Sequence, residues 1–302
     1  MRRSRVISLL VALVVTGAAA LAIGAGSGGL RASAPEETLS APDAPSRDAP
    51  KTVVSLNLCT DQLAMMLAAP GQLAAVTALA ANPRTSAMAE KAADLPVIHG
   101  RAEEVYLMAP DLVLAGRFTD RATVDMLRRL GLRVEEFNPA YALSDIPDRL
   151  ARMGDLLGRP DRAEALIDRF NADLAALRHD NKGPRAALYY ANGYTSGDTS
   201  LAGQILRAAG FENIATEMGF GAIGALPLEM LAMAAPDVVV TGNPYPGASR
   251  AEAVMEHPVV TALKRGRVNG TVTDRDWVCG TPHALRAVTA MADLRRRVEA
   301  AR

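Results

Sequence analysis

Residues 103–116 read EEVYLMAPDLVLAG, and residues 229–242 read EMLAMAAPDVVVTG. Superposed without gaps, the two stretches share Glu103/Glu229, Ala109/Ala235, Pro110/Pro236, Asp111/Asp237, Val113/Val239 and Gly116/Gly242. In each, an amphipathic helical segment stops at Ala-Pro, because proline cannot extend a helix. A run rich in β-branched residues follows, as in a buried strand, and ends at glycine. Two matching helix-then-strand units this far apart predict two similar α/β lobes with a cleft between them.

Around the repeat, the pattern is alternating strand and helix. Residues 52–56 (TVVSL), 74–79, 111–115 and 133–137 read as strands, with helical stretches at 59–69 and 121–130. Such alternation predicts parallel sheets covered on both faces, with ligand loops at the carboxyl ends of the strands. No strand is expected between about 140 and 185. Ser144 and Asp145 are candidate caps with Pro147 in the first turn, and Leu150, Met153, Leu156 and Leu157 share one helical face. A second helix carries Ala163, Leu166, Ile167, Phe170, Leu174 and Leu177. Strand-helix alternation resumes at residues 185–191 (RAALYYA).

The N-terminus carries Arg2, Arg3 and Arg5 before an apolar run over residues 6–25. Charged start, apolar run and small residues at Ala18, Ala20 and Ala22 have the form of an export signal. The run is also near the length of a membrane anchor. The first cysteine is Cys59, so no cysteine is placed for lipid attachment at the signal. The resulting division is signal or anchor 1–25, disordered Pro/Ala/Asp-rich linker 26–50, first lobe 51–143, helical connector 144–183 and second lobe 184–302.

Composition excludes some classes. With 33 basic and 33 acidic residues, the chain has no electrostatic footprint for nucleic acid. Arg295, Arg296 and Arg297 read as the solvated face of a terminal helix. Residues 219–224 (GFGAIG) match the G-x-G-x-x-G spacing, but the strand before and helix after that a dinucleotide needs are missing. A surface loop is expected there. Four histidines without paired acids do not make a bare Zn or Mn receptor; His179 and His257 read as capping or solvated. Cys279 and His283 lack a third member for nucleophilic catalysis, so no enzyme is expected.

From TVVSLNLCTDQL through the two A-P-D elements, LLGRPDRAEALIDRF and HPVVTALKRGRVNGTVTDRDWVCGTP, the chain resembles the periplasmic substrate-binding proteins of iron-chelate and vitamin B12 importers. The resemblance covers residues 51–298 in order. It implies two Rossmann-like lobes with central parallel sheets, joined by a long helical connector that moves little. It further implies a periplasmic, monomeric receptor with no intrinsic cofactor. Such a receptor captures a metal chelate (iron-siderophore, haem or cobalamin) and delivers it to an ABC permease dimer with its ATPase subunits. In the family, an acidic residue on the tip of each lobe meets permease arginines, and the matching positions are Glu103 and Glu229. A nitrogenase-like intracellular enzyme subunit shares this lobe style, but the export signal and the count of two cysteines oppose it.

The two cysteines lie in loops that the family fold assigns to different lobes, both facing the cleft. Three fates are open: a disulfide, thiolate contact with the chelate's metal, or free thiols. A bridge would add roughly 5 kcal/mol by loop entropy and restrict lobe opening. The candidate ligand contacts are Asn57, Cys59, Asn82, Arg84, Arg117 and Phe118 from the first lobe. From the second they are Tyr190, Asn192, Tyr194, Asn243, Tyr245, Trp277 and His283. Arginine offers bidentate recognition of carboxylates and the aromatics offer stacking surface. Tyr189 and Tyr190 are neighbours on one strand, so one of them faces the core.

Overall fold

The computed structural model describes residues 46–179, 182–247 and 249–302. The expected export signal lies outside them, and among the described residues no helix is long and apolar enough to cross a membrane.

The first lobe runs β1 (Val53–Ser55), α1 (Leu58–Leu67), β2 (Leu73–Thr77), α2 (Ala89–Ala92), β3 (Val97–Ile98), α3 (Ala102–Leu107), β4 (Leu112–Gly116), α4 (Arg121–Arg129) and β5 (Val134–Phe137). Its sheet has the order β3-β2-β1-β4-β5, every pairing parallel. Two helices follow, α5 (Asp145–Leu157) and α6 (Pro160–Leu177). The second lobe contains β6 (Arg185–Tyr189), β7 (Tyr194–Ser196), α7 (Leu201–Ala208), β8 (Glu212–Asn213), α8 (Ile214–Glu217), β9 (Ile223–Ala225), α9 (Leu228–Ala234), β10 (Val238–Gly242), α10 (Pro258–Lys264), β11 (Gly270–Val272), α11 (Asp274–Trp277) and α12 (Ala284–Ala300). Its main sheet is parallel, in the order β11-β10-β6-β8. The fold is therefore α/β with central parallel sheets, as the strand-helix alternation predicts.

The period-two logic of a sheet buried on both faces is visible in the core. Leu112 and Leu114 of β4 join one apolar cluster while Val113 and Ala115 join another. In β6 the alternation is Ala186 and Leu188 against Ala187 and Tyr189. The first cluster continues through Leu150, Met153 and Phe170 of the two connecting helices to Val240 and Val288. Both sheets thus rest on one continuous core, which ties them together behind the strand-end loops.

The sequence repeat has a structural cause. Asp111 Oδ2 accepts from the backbone N–H of Lys51 (2.7 Å) and Thr52 (2.9 Å), pinning the chain where it enters β1. Asp237 Oδ2 accepts from Arg185 N at 2.7 Å and pins the start of β6 in the same way. Before each buried proline the alanine is left-handed, with φ of 45° at Ala109 and 43° at Ala235.

Three local expectations are corrected. Ser144 makes no side-chain cap; Asp145 Oδ2 instead accepts from the N–H groups of Tyr141 (2.8 Å) and Ala142 (2.9 Å). The GFGAIG stretch is not simply a loop: it runs into β9, which pairs antiparallel with β7. Residues 46–50, expected within a disordered linker, dock on the body. Ser46 N donates to Gly158 O at 3.0 Å, and Gly158 ends α5 with φ 68°, a turn that favours glycine.

Candidate functional site

Asn57 follows β1 and caps α1, its side chain accepting from Cys59 N at 3.0 Å. Its amide lies against Gly116 at the end of β4, where a Cβ would meet it at 2.8 Å. Asn57 is thus occupied in joining two strand ends. Next in the helix, Cys59 is disulfide-bonded to Cys279, with a Cα–Cα distance of 5.1 Å across 220 positions. The bond excludes both the metal-thiolate and the free-thiol alternatives.

Around the bridge the lobes are in contact. Cys279 and Gly280 are buried, and a methyl group at Gly280 would overlap the Ala140 side chain beyond β5. The buried guanidinium of Arg149, on α5, donates to Asn138 O in that same loop. Burial pushes its pKa down to about 10, so it stays charged at neutral pH.

A second link crosses between the sheets' carboxyl ends. Arg84, in the loop after β2, donates through both terminal nitrogens to Pro244 O, each at 3.1 Å. Its guanidinium also lies 5.1 Å from the ring centre of Tyr245, within cation–π range. Arg84 O accepts from Arg275 N at 3.2 Å. The Tyr245 hydroxyl donates to Asp274, and Tyr245 N donates to Glu252 Oε1 at 3.0 Å. Pro83, Arg84, Asn243, Tyr245, Thr273, Asp274 and Arg275 line an open cavity of about 280 Å³. It lies where the strand-end loops of the two sheets meet.

Of the expected contacts, Arg84, Asn243 and Tyr245 line this cavity. Asn82 shapes its rim, its Oδ1 accepting from Arg84 N at 2.9 Å. Arg117 and Phe118, beyond β4, are exposed and do not line it. Tyr189 is the core-facing tyrosine; Tyr190 packs edge-on against Trp277 with ring centres 5.3 Å apart. Tyr190 has its hydroxyl oxygen buried, so it supports Trp277 rather than presenting a polar group to the cleft. Asn192 adopts φ 57° and its N–H donates to Ala251 O at 2.6 Å, while Tyr194 is exposed on the β7–β9 ribbon. His283 opens α12 partly buried, and burial together with the Arg286 charge pushes its pKa down to about 4, Asp276 opposing.

Sequence reasoning missed Thr273, Asp274 and Arg275. They follow the short strand β11, whose middle residue Thr271 is exposed, so no apolar run marks it. Among the described residues no group of three or more His, Cys, Asp or Glu side chains could hold a metal ion.

Residues 53–272 match the sequence profile of the periplasmic binding proteins. The chain belongs to that family. A cobalamin-binding protein of Halobacterium salinarum is 32% identical over 146 residues, a match spanning 46% of this chain and 40% of that one. A vitamin B12-binding protein of Pectobacterium carotovorum is 28% identical over 173 residues, 55% of this chain and 62% of that one. This periplasmic binding protein thus matches less than two thirds of the length of each relative. Among solved structures, a periplasmic heme-binding protein of Roseiflexus sp. RS-1 superposes with a TM-score of 0.67 at 22% identity, covering 81% of this chain and 98% of that one. At that identity the likeness concerns the fold alone.

Proposed function

We propose that this chain is the extracytoplasmic substrate-binding component of an ABC importer, carrying a metal chelate to a permease dimer with its ATPase subunits. The observation that carries the reading is the meeting of strand-end loops from two parallel sheets around Arg84, Tyr245 and Arg275. Parallel α/β sheets bind ligands at this edge. Two cations and an aromatic face suit a large conjugated chelate with acidic substituents. Haem offers a conjugated ring with carboxylates, a corrinoid a conjugated ring with a phosphodiester, and a catecholate siderophore aromatic rings around an anionic iron centre; the corrinoid is placed first because both sequence relatives are named for cobalamin. The division into lobes 51–143 and 184–302 around connector 144–183 belongs to the same reading, as does periplasmic residence as a monomer without an intrinsic cofactor. Glu103 and Glu229 are the permease-facing carboxylates. The other expected contacts, Arg117, Phe118, Asn192 and Tyr194, stand as outer contacts for a ligand larger than the cavity.

The test is direct, since Trp277 is the chain's one tryptophan. Cyanocobalamin, haemin and a panel of ferric siderophores are added to purified protein while Trp277 fluorescence and unfolding are followed. A chelate at 100 times its Kd should stabilise the fold by about 2.7 kcal/mol. If no member of the three classes changes either signal, the substrate reading fails.

A further inference from the structure

A hollow of about 340 Å³ lies on the edge of the first sheet opposite its strand-end loops. Helix α1 leaves the carboxyl end of β1 and stops at Leu67, and β2 sets out again from Leu73, so the hollow between them marks the amino-end edge. Met65, Leu73 and Leu95 give it an apolar floor. Lys91, the buried Arg159 and Arg162 surround that floor with three cations. No Asp or Glu lines it among the described residues. Two of the cations are set in place by carbonyls near the end of α1, where a helix leaves its acceptors unpaired. Lys91 Nζ donates to Met65 O at 2.6 Å, and Arg162 Nε donates to Met66 O at 2.8 Å. That bond leaves the two terminal nitrogens of Arg162 without a hydrogen bond or ion pair among the described residues.

The chain also enters the fold at this edge. Ser46 N donates to Gly158 O, directly before Arg159 and one turn before Arg162. Gln72, next to Leu73, donates from Nε2 to Pro50 O (2.8 Å) and Leu157 O (3.0 Å), which fixes the incoming backbone there. The residues just before Ser46, 39–45, read LSAPDAP and carry one charge, the carboxylate of Asp43. Asp43 stands three positions ahead of Ser46, and three residues of extended chain cover about 10 Å. The first turn of α6, with its arginines, is within that reach of Gly158.

We propose that this hollow is the docking site of residues 39–45, with Asp43 against Arg159 and Arg162 and residues 39–42 across the apolar floor. Docked there, the segment is a strap that joins α1 and α2 of the first lobe to α6, and it leaves the ligand edge clear. The proposal does not depend on the importer reading. Charge complementarity and chain length both select this occupant. Three cations want an anion, and Asp43 is held nearby on the same chain at high effective concentration. A second copy would have to bring its carboxylate from solution. Arginine in particular suits a carboxylate, and a segment with two prolines loses little entropy on docking.

A double-mutant cycle on the full chain tests the pairing. Asp43→Lys and Arg162→Glu should each raise the unfolding constant in urea by about threefold or more. The two together should fall short of the product of the single effects by about threefold, because the reversed charges meet again. A cycle with no coupling overturns the proposal. Location is read separately, with p-benzoylphenylalanine in place of Ala41: irradiation should join position 41 to residues 65–73 or 91–95 of the same chain. A crosslink elsewhere in the chain, or a crosslinked dimer, overturns it. So does stabilisation by inorganic phosphate that is equal in wild type and Asp43→Asn, which would assign the hollow to a small anion. The strap instead requires phosphate to stabilise Asp43→Asn more than wild type.

Discussion

Cys59 and Cys279 are covalently joined although they stand 220 residues apart, one at the start of α1 and the other beyond β11. The bridge therefore fastens the first sheet's strand-end loops to those of the second. It closes nearly the whole folded chain into one loop, and on the loop-entropy model contributes about 5 kcal/mol. Replacing the pair, Cys59→Ser with Cys279→Ser, should lower the urea midpoint by an amount equal to a loss of several kcal/mol without changing the fold. The mutant should also show a larger radius of gyration in solution when unliganded. An unchanged urea midpoint would remove the bridge's role as a tether.

Asp61 and His283 are expected to pull stability in opposite directions as pH changes. Burial pushes the Asp61 carboxyl up from 3.8 to about 7, against hydrogen bonds from Thr77 N (3.2 Å) and Thr77 Oγ1 (2.6 Å). Between these values the folded chain holds a proton that the unfolded chain has lost, so the Asp61 contribution falls as pH rises from about 4 to 7. For His283, pushed down from 6.5 to about 4, the unfolded chain holds the extra proton. Its contribution is fully present above pH 6.5 and is lost as pH falls toward about 4. Over the shared window the two slopes offset one another. Asp61→Asn should therefore leave stability rising with pH, by up to about 1.4 kcal/mol per unit, less screening at the partly exposed imidazole. His283→Gln should tilt it the other way. Denaturant titrations of both variants at several pH values between about 4.5 and 6.5 check the pair. Parallel pH profiles in wild type and both variants would refute it.

The parts of this protein legible in its sequence are those with a local or repeating signal. The buried runs of β1, β4 and β10 are apolar on both faces, and Gly158 with Pro160 marks the break between α5 and α6. The A-P-D repeat was legible as a sign of two lobes, although its cause, Asp111 and Asp237 pinning the neighbouring strands, needs coordinates. Contacts between distant loops leave no such trace. Arg84 and Pro244 meet across 160 positions. An asparagine after a strand can serve a ligand or cap a helix with the same side chain, and the side chain of Asn57 caps α1. The fate of the cysteines stayed open for the same reason: spacing cannot tell a bridge from a pair of separate thiols.

Arg84 should act as a clasp. The cavity it lines, at about 280 Å³, is at the small end for any drug-sized ligand, so a corrinoid or porphyrin requires the Arg84–Pro244 and Arg84–Tyr245 contacts to part. Once released, the guanidinium is free to hold an acidic group of the ligand. Arg84→Ala should therefore speed association and speed dissociation more, leaving affinity lower by about tenfold. Stopped-flow fluorescence of Trp277 separates the two rates. An unchanged association rate would mean that the clasp is not on the binding path.

The last prediction concerns the paired alanines. Ala109 and Ala235 hold φ of 45° and 43°, a region that costs a residue with a Cβ about 1–2 kcal/mol. The buried prolines that follow them fix where each helix must stop, and the aspartates after those are tied to β1 and β6. The backbone cannot relax without releasing those strands. Glycine at either position removes the clash while adding chain entropy to the unfolded state, a cost of about 0.4–1 kcal/mol. The clash is the larger of the two, so Ala109→Gly and Ala235→Gly should each stabilise by about 0.5–1 kcal/mol. The sites lie in separate lobes, Ala109 beyond α3 and Ala235 beyond α9, so the gains should add in the double variant. Calorimetric unfolding of the two single variants and the double variant reads this directly. If either substitution destabilises, the left-handed turn is not strained at that alanine.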